Sequence, residues 1–139
     1  MSLADARWID LTHSDDERGT LTALEGEAIP FPIRRLFYMH RVPWKLERGH
    51  HAHRYTRQCL IPVAGAFAID AWDATTAATY VLDDPNRGLY LPVMTWVRLY
   101  DFRPETVALV LCDTVYNPAH VVRDRREYER LMREASPAT

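Results

Sequence analysis

The chain never sustains one hydrophobic pattern for long. Turn residues interrupt it every few positions, and between the interruptions apolar and polar side chains alternate. WIDLT (Trp8 to Thr12) alternates, SDDERG reads as a turn, and TLTALE (Thr20 to Glu25) alternates again, which predicts a hairpin. After the loop EGEAIPFP come a long strand candidate from Ile33 to Val42, the loop VPWKLERG, a short strand over His50 to Tyr55 and another over Arg57 to Val63. AFAIDAW, ATYVLD, LYLPV, TWVRLYDF and ETVALVLCD continue the series. Roughly ten short strands punctuated by Gly, Pro, Asn or Asp specify an all-β sandwich or barrel. The segment from Asp124 to Ala135 (DRREYERLMREA) differs. It is rich in helix formers, places Tyr128, Leu131 and Met132 at helical spacing, and pairs Asp124 with Glu127 in the pattern of a capping box. One α-helix packed on the β structure is expected, in a single domain spanning residues 1–139.

Composition limits the function classes. A chain of 139 residues with 47% hydrophobic and 26% charged residues can build a core without disulfides or metal. The net charge of −2 offers no general attraction for nucleic acid or an anionic membrane, so neither is an expected partner. No secretory pattern opens the chain and no apolar run is long enough for a membrane span, which makes a cytoplasmic location the expectation. Cys59 and Cys112 lie in apolar runs and read as buried, reduced thiols.

The chemistry concentrates in RGHHAHRYTRQ, residues 48–58. Side chains two apart on a strand share a face, so His51 and His53 point one way and His50 the other. An HxH pair by itself is equally an exposed pair near a barrel mouth. Its neighbourhood, G-x-H-x-H with Gln58 and Gly65 downstream, resembles the first motif of the cupins, in which two histidines and an acid line a small jelly-roll barrel. Here the acid position holds Gln58, and Val97 stands where that resemblance places a third histidine. Two imidazoles and an amide are a weak donor set for a divalent ion, so no metal is expected. His13, His40, His50 and His120 read as surface or structural residues. Two neutral histidines on one inward face suit proton transfer between adjacent carbons, because imidazole changes charge near neutral pH.

Over nearly its whole length the chain resembles the sugar 3,4-ketoisomerases that act on dTDP-4-keto-6-deoxyglucose. The resemblance is carried by DERGTLTALEG (16–26), IPFPIRRLFYM (29–39), RGHHAHRYTRQ (48–58), LDDPNRGLYLP (82–92), TW (95–96), DF (101–102), VALVLCDTVYN (107–117) and VVRDRREYERL. It implies a cupin jelly-roll barrel and a homodimer in which N-terminal strands can be exchanged. The implied reaction is a cofactor-independent shift of a ketone from carbon 4 to carbon 3 through an enediol, in deoxysugar biosynthesis. It implies His51 and His53 as the catalytic pair, and Arg18, Arg35, Tyr38, Arg48, Gln58 and Trp96 as substrate-binding residues. Arginine suits the diphosphate of a dTDP-linked keto sugar because its planar fork makes two contacts at once. Alternation puts Arg35 with Phe37 on one face and Arg34, Leu36 and Tyr38 on the other, without saying which is inward. Arg18 and Val97 occupy positions that resemble those linked to the gluco or galacto configuration of the product. Arg18 matches the galacto pattern and Val97 matches neither. Arg98 could replace a charge at Val97 only if the strand register slipped, since one step reverses the face. Two other readings stay open: a non-catalytic cupin that binds a nucleotide sugar, and an isomerase or epimerase of a different nucleotide-linked keto sugar.

Overall fold

The computed structural model describes residues 2–135. Twelve strands run in chain order as β1 (Arg7–Asp10), β2 (Thr12–Asp16), β3 (Gly19–Ala23), β4 (Arg35–His40), β5 (Arg48–His53), β6 (Gln58–Ala64), β7 (Phe67–Trp72), β8 (Ala77–Leu82), β9 (Arg87–Leu91), β10 (Trp96–Tyr100), β11 (Val107–Cys112) and β12 (Val121–Val122). The helix α1 (Arg125–Ala135) ends the described chain. All strand pairs are antiparallel. They form one sheet in the order β1-β9-β6-β11-β4, a second in the order β12-β5-β10-β7-β8, and a separate β2–β3 ribbon. The all-β fold with a C-terminal helix is as the sequence predicts. The two large sheets face one another but are not joined edge to edge into a closed barrel.

Alternation explains how each sheet fills the interior and still covers its back. From the first sheet, Leu60, Leu89, Leu91, Ala108, Val110 and Cys112 meet Phe67, Ile69, Ala71, Val97 and Leu99 of the second in one core. Their neighbours point outward. Cys59, Ile61, Tyr90 and Leu111 pack under Leu11, Ile29 and Phe31 on the outer face of the first sheet. Ala52 and Trp96 pack under Tyr128 and Met132 of α1 on the outer face of the second. The Tyr128 hydroxyl lies 2.8 Å from the Met94 carbonyl and 3.0 Å from that of Trp72, so its proton anchors the helix to the sheet beneath. Asp124 caps α1 as predicted, its carboxylate accepting from the Arg126 amide at 3.0 Å. Both cysteines are buried and unbridged.

The N-terminal hairpin differs from its prediction. Trp8 belongs to β1, which pairs with β9. The hairpin partners are β2 and β3, and SDDERG continues the strand as far as Asp16 before turning at Glu17 and Arg18. Every residue of β2 is exposed. A ribbon with no buried face carries no hydrophobic alternation, so its polar strand read as a turn. The two-residue β12 is too short to leave a periodic signal of any kind.

One side of the roll is shut by side chains. Trp8 of β1 meets Tyr80 of β8 edge-on at 5.9 Å between centroids. Nearby, Asp73 ties the N-terminal turn to the β7–β8 turn. One of its oxygens accepts from the Leu3 amide at 2.7 Å, the other from the Thr75 and Thr76 amides at 2.8 Å each. Burial alone raises this carboxyl, but the donors outweigh it and bring it to about 2. Its stabilising contribution is therefore complete above the ordinary value of 3.8 and lost as the pH falls through about 2. Thermal melts across that window should show wild type losing stability more steeply than Asp73→Asn. Parallel pH dependences would contradict this account.

Candidate active site

The other side of the roll stays open. Strand β4 ends the first sheet, and β5 with the short β12 ends the second. Side chains of all three border a cavity of about 450 Å³ that reaches into the interior. Arg35, Phe37 and Met39 of β4 point into it, so the face shared by Arg35 and Phe37 is the inward one. Arg48, Gly49, His51 and His53 of β5 form the facing wall, while Leu60, Leu91, Val97, Leu99 and Val110 make an apolar floor.

The inward aim of the histidines depends on a break in β5. Val97 of β10 pairs with His51, but the next residue, Arg98, pairs with Gly49, leaving His50 as an extra residue in a bulge. Gly49 has φ 91° and His50 φ 58°. A Cβ at position 49 would sit 2.9 Å from the Val97 carbonyl oxygen, so only glycine fits there. A histidine in the left-handed region costs on the order of 1–3 kcal/mol that its surroundings must offset. The bulge does not turn Arg98 inward. Its guanidinium binds Asp70 at 2.7 Å and Glu47 at 2.9 Å on the outer face, so it replaces no charge at Val97, which is buried and apolar in the floor.

His51 and His53 lie edge to face, with ring centroids 4.9 Å apart. Burial lowers the pKa of both. For His51 the Gly49 backbone offsets part of this, and the charges of Arg123, His50 and Arg48 add to the lowering. Even so, the buried Nδ1 of His51 makes no hydrogen bond of good geometry. For His53 burial acts with the neighbouring His51, Arg35 and Arg123 to bring the ring down to about 4. Both imidazoles are thus neutral at neutral pH.

The cavity is cationic. Arg35, Arg48 and Arg123 border it, and none has a carboxylate partner among the described residues. Arg35 stacks instead over the rings of Phe37 at 4.4 Å and Tyr116 at 4.8 Å. Glu47, the acid at the rim, is engaged by Arg98 and His50. Gln58 is buried at the inner end, its amide nitrogen 3.6 Å from Cys112 Sγ. Among the described residues no three His, Cys, Asp or Glu side chains converge as a metal set would require.

The structure therefore brings together His51, His53, Arg35, Arg48 and Gln58. It does not bring the other three expected residues to the cavity of the same chain. Tyr38 is on the outer face of β4, 59% exposed, beside His40. Trp96 is buried under α1, its ring 5.3 Å from that of Tyr128. Arg18 is at the ribbon tip, paired with Asp16 at 2.6 Å. Arg123 and Tyr116, which sequence reasoning missed, do border the cavity. Both follow short irregular connections where no periodicity marks a face.

Residues 4–133 match the family described as FdtA: WxcM-like, C-terminal. The chain is 30% identical over 116 residues to a TDP-4-oxo-6-deoxy-alpha-D-glucose-3,4-oxoisomerase of Aneurinibacillus thermoaerophilus, covering 83% of this chain and 84% of that one. A 3,4-ketoisomerase from Helicobacter canadensis superposes with a TM-score of 0.89 at 32% identity over 93% of this chain and 98% of its own. A mutant of QdtA, a 3,4-ketoisomerase from Thermoanaerobacterium thermosaccharolyticum, in complex with TDP-4-keto-6-deoxyglucose, superposes with a TM-score of 0.92 at 29% identity over 96% and 97%. An open jelly roll with a neutral histidine pair beside unpaired arginines, matched along almost its whole length, places this chain in the FdtA, or WxcM-like, family of sugar 3,4-ketoisomerases.

Proposed function

We propose that the protein isomerises a dTDP-linked 4-keto-6-deoxyhexose to its 3-keto form in deoxysugar biosynthesis. The observation that carries this reading is the pair of neutral, half-buried imidazoles facing a cavity whose arginines have no carboxylate partners. Arg35, Arg48 and Arg123 hold the diphosphate, and Gln58 meets a sugar hydroxyl. One histidine removes the carbon 3 proton, which the carbon 4 ketone acidifies. Oxygen 4 gains a proton as the enediol forms. The hydroxyl at carbon 3 then gives up its proton, carbon 4 is protonated, and the ketone stands at carbon 3. No electron acceptor is consumed, and the reading uses neither metal nor cofactor. The apolar floor around Val97 keeps water from the intermediate. A cytoplasmic location belongs to the same reading; among the described residues no helix is long and apolar enough to cross a membrane.

Removing a base in the transition state typically costs about 10²–10⁴-fold in rate. His51→Ala and His53→Ala should each lose activity on that scale, with solvent deuterium no longer washing into carbon 3 or 4. A wild-type protein that binds the sugar but exchanges no deuterium would instead be a binding module. Because both imidazole pKa values are lowered, kcat/KM should stay level as the pH drops below 6.5, the ordinary histidine value, and fall only at more acid pH. An acid limb at or above 6.5 would contradict the site as described.

The remaining expected residues fit a homodimer. The β2–β3 ribbon has few buried groups of its own, and such a ribbon is marginal alone in water. The outer face of the first sheet exposes Leu36, Tyr38 and Val63 beside it. A second copy that covers this face, with N-terminal strands exchanged, buries Tyr38 and carries Arg18 toward the neighbouring cavity. Trp96 contributes by holding β10 against α1. Light scattering should give twice the chain mass, reverting toward one chain in Leu36→Glu. A monomeric wild-type protein would overturn the assembly.

A further inference from the structure

On the outer face of the second sheet, running to the cavity rim, Asp70, Arg98, Glu47 and His50 make a continuous line. Asp70 of β7 accepts from the Tyr100 hydroxyl and Thr79 Oγ1 at 2.8 Å each, and from Arg98 Nη2 at 2.7 Å. Arg98 Nη1 then donates to Glu47 Oε2 at 2.9 Å. The other oxygen of Glu47 meets His50 Nε2, again at 2.9 Å. The Arg98 guanidinium also stacks on Tyr100, 4.1 Å from the ring centroid. The line starts in the middle of a sheet and ends on the extra residue of the β5 bulge. We propose that Asp70, Arg98 and Glu47 are positioning residues that clamp His50 in its left-handed conformation and thereby aim His51 and His53 into the cavity.

Three features support the assignment. His50 is a non-glycine residue at φ 58°, and the contact with Glu47 is the side-chain hydrogen bond that holds it. The bulge sets the facing of everything after it: with no extra residue His50 would oppose Val97, with two Ala52 would, and in either case the histidine pair would turn outward. Arg98 is well suited to the middle of the line, because its planar fork reaches two carboxylates at once while its face stacks on Tyr100. The same contacts engage the Glu47 carboxylate at the cavity rim, where a free negative charge would repel a diphosphate.

This inference rests on the isomerase reading, and the test separates the two. Arg98→Met keeps an unbranched side chain on the strand and removes the bridge. It should lower kcat roughly tenfold or more, the effect of misplacing a base by a fraction of an ångström, while KM stays within about twofold. His50→Asn substitutes a residue that tolerates the left-handed region without the clamp. In that background Arg98→Met should cost little further, so the two losses should not multiply. Imidazole NMR of the substrate-free protein adds a readout independent of turnover: the His51 and His53 resonances should move in Arg98→Met. An unchanged kcat, a loss that tracks only the folded fraction, multiplying losses in the double variant, or unmoved resonances would each overturn the clamp. A wild-type protein with no isomerase activity whose resonances still respond to Arg98→Met would overturn the activity reading alone.

Discussion

Contact between the inner faces of the two sheets is what the rest of the molecule depends on, and the site exists because that contact is left incomplete on one side. Where β1 and β8 meet, Trp8 and Tyr80 shut the interior. Where β4 ends one sheet and β5 with β12 ends the other, arginines and histidines take the inward positions that leucine and valine fill elsewhere. Such groups cannot pack as an apolar core does, so the sheets stand apart there and solvent or ligand enters. The apolar floor beneath supplies the stability that the open side lacks.

The electrostatics of the opening follow from the same geometry. Each histidine is buried enough to disfavour the imidazolium and stands close to arginines that disfavour it further. An anion that binds those arginines cancels part of this second effect. A bound diphosphate would therefore make the imidazoles better bases while leaving the desolvation in place. Binding and basicity are coupled without any movement of the backbone.

Much of this was legible in the chain. The pairing of His51 with His53 on one face, the separation of His50 and the helix cap at Asp124 follow from strand and helix periods that hold wherever one face is buried. The reading failed where no face is buried. β2 is exposed throughout, so its residues from Ser14 to Asp16 read as part of a turn, and Arg123 and Tyr116 stand in or beside connections with no period at all. Tyr38 and Trp96 illustrate a further limit: strand alternation orders the side chains into two sets but does not say which set faces the interior.

By itself the sequence determined the kind of elements and the residues able to carry the chemistry, because these rest on local pattern and side-chain type. Tertiary structure alone decided that the Arg35 face of β4 is inward, that Trp96 belongs to the helix contact, and that Arg98 turns away despite the adjacent bulge. Each of those outcomes depends on which distant strand lies across the interior. The bulge is the clearest case. Gly49 and His50 are unremarkable in the chain, and only the approach of the Val97 carbonyl makes one of them obligatory and leaves the other in the left-handed region.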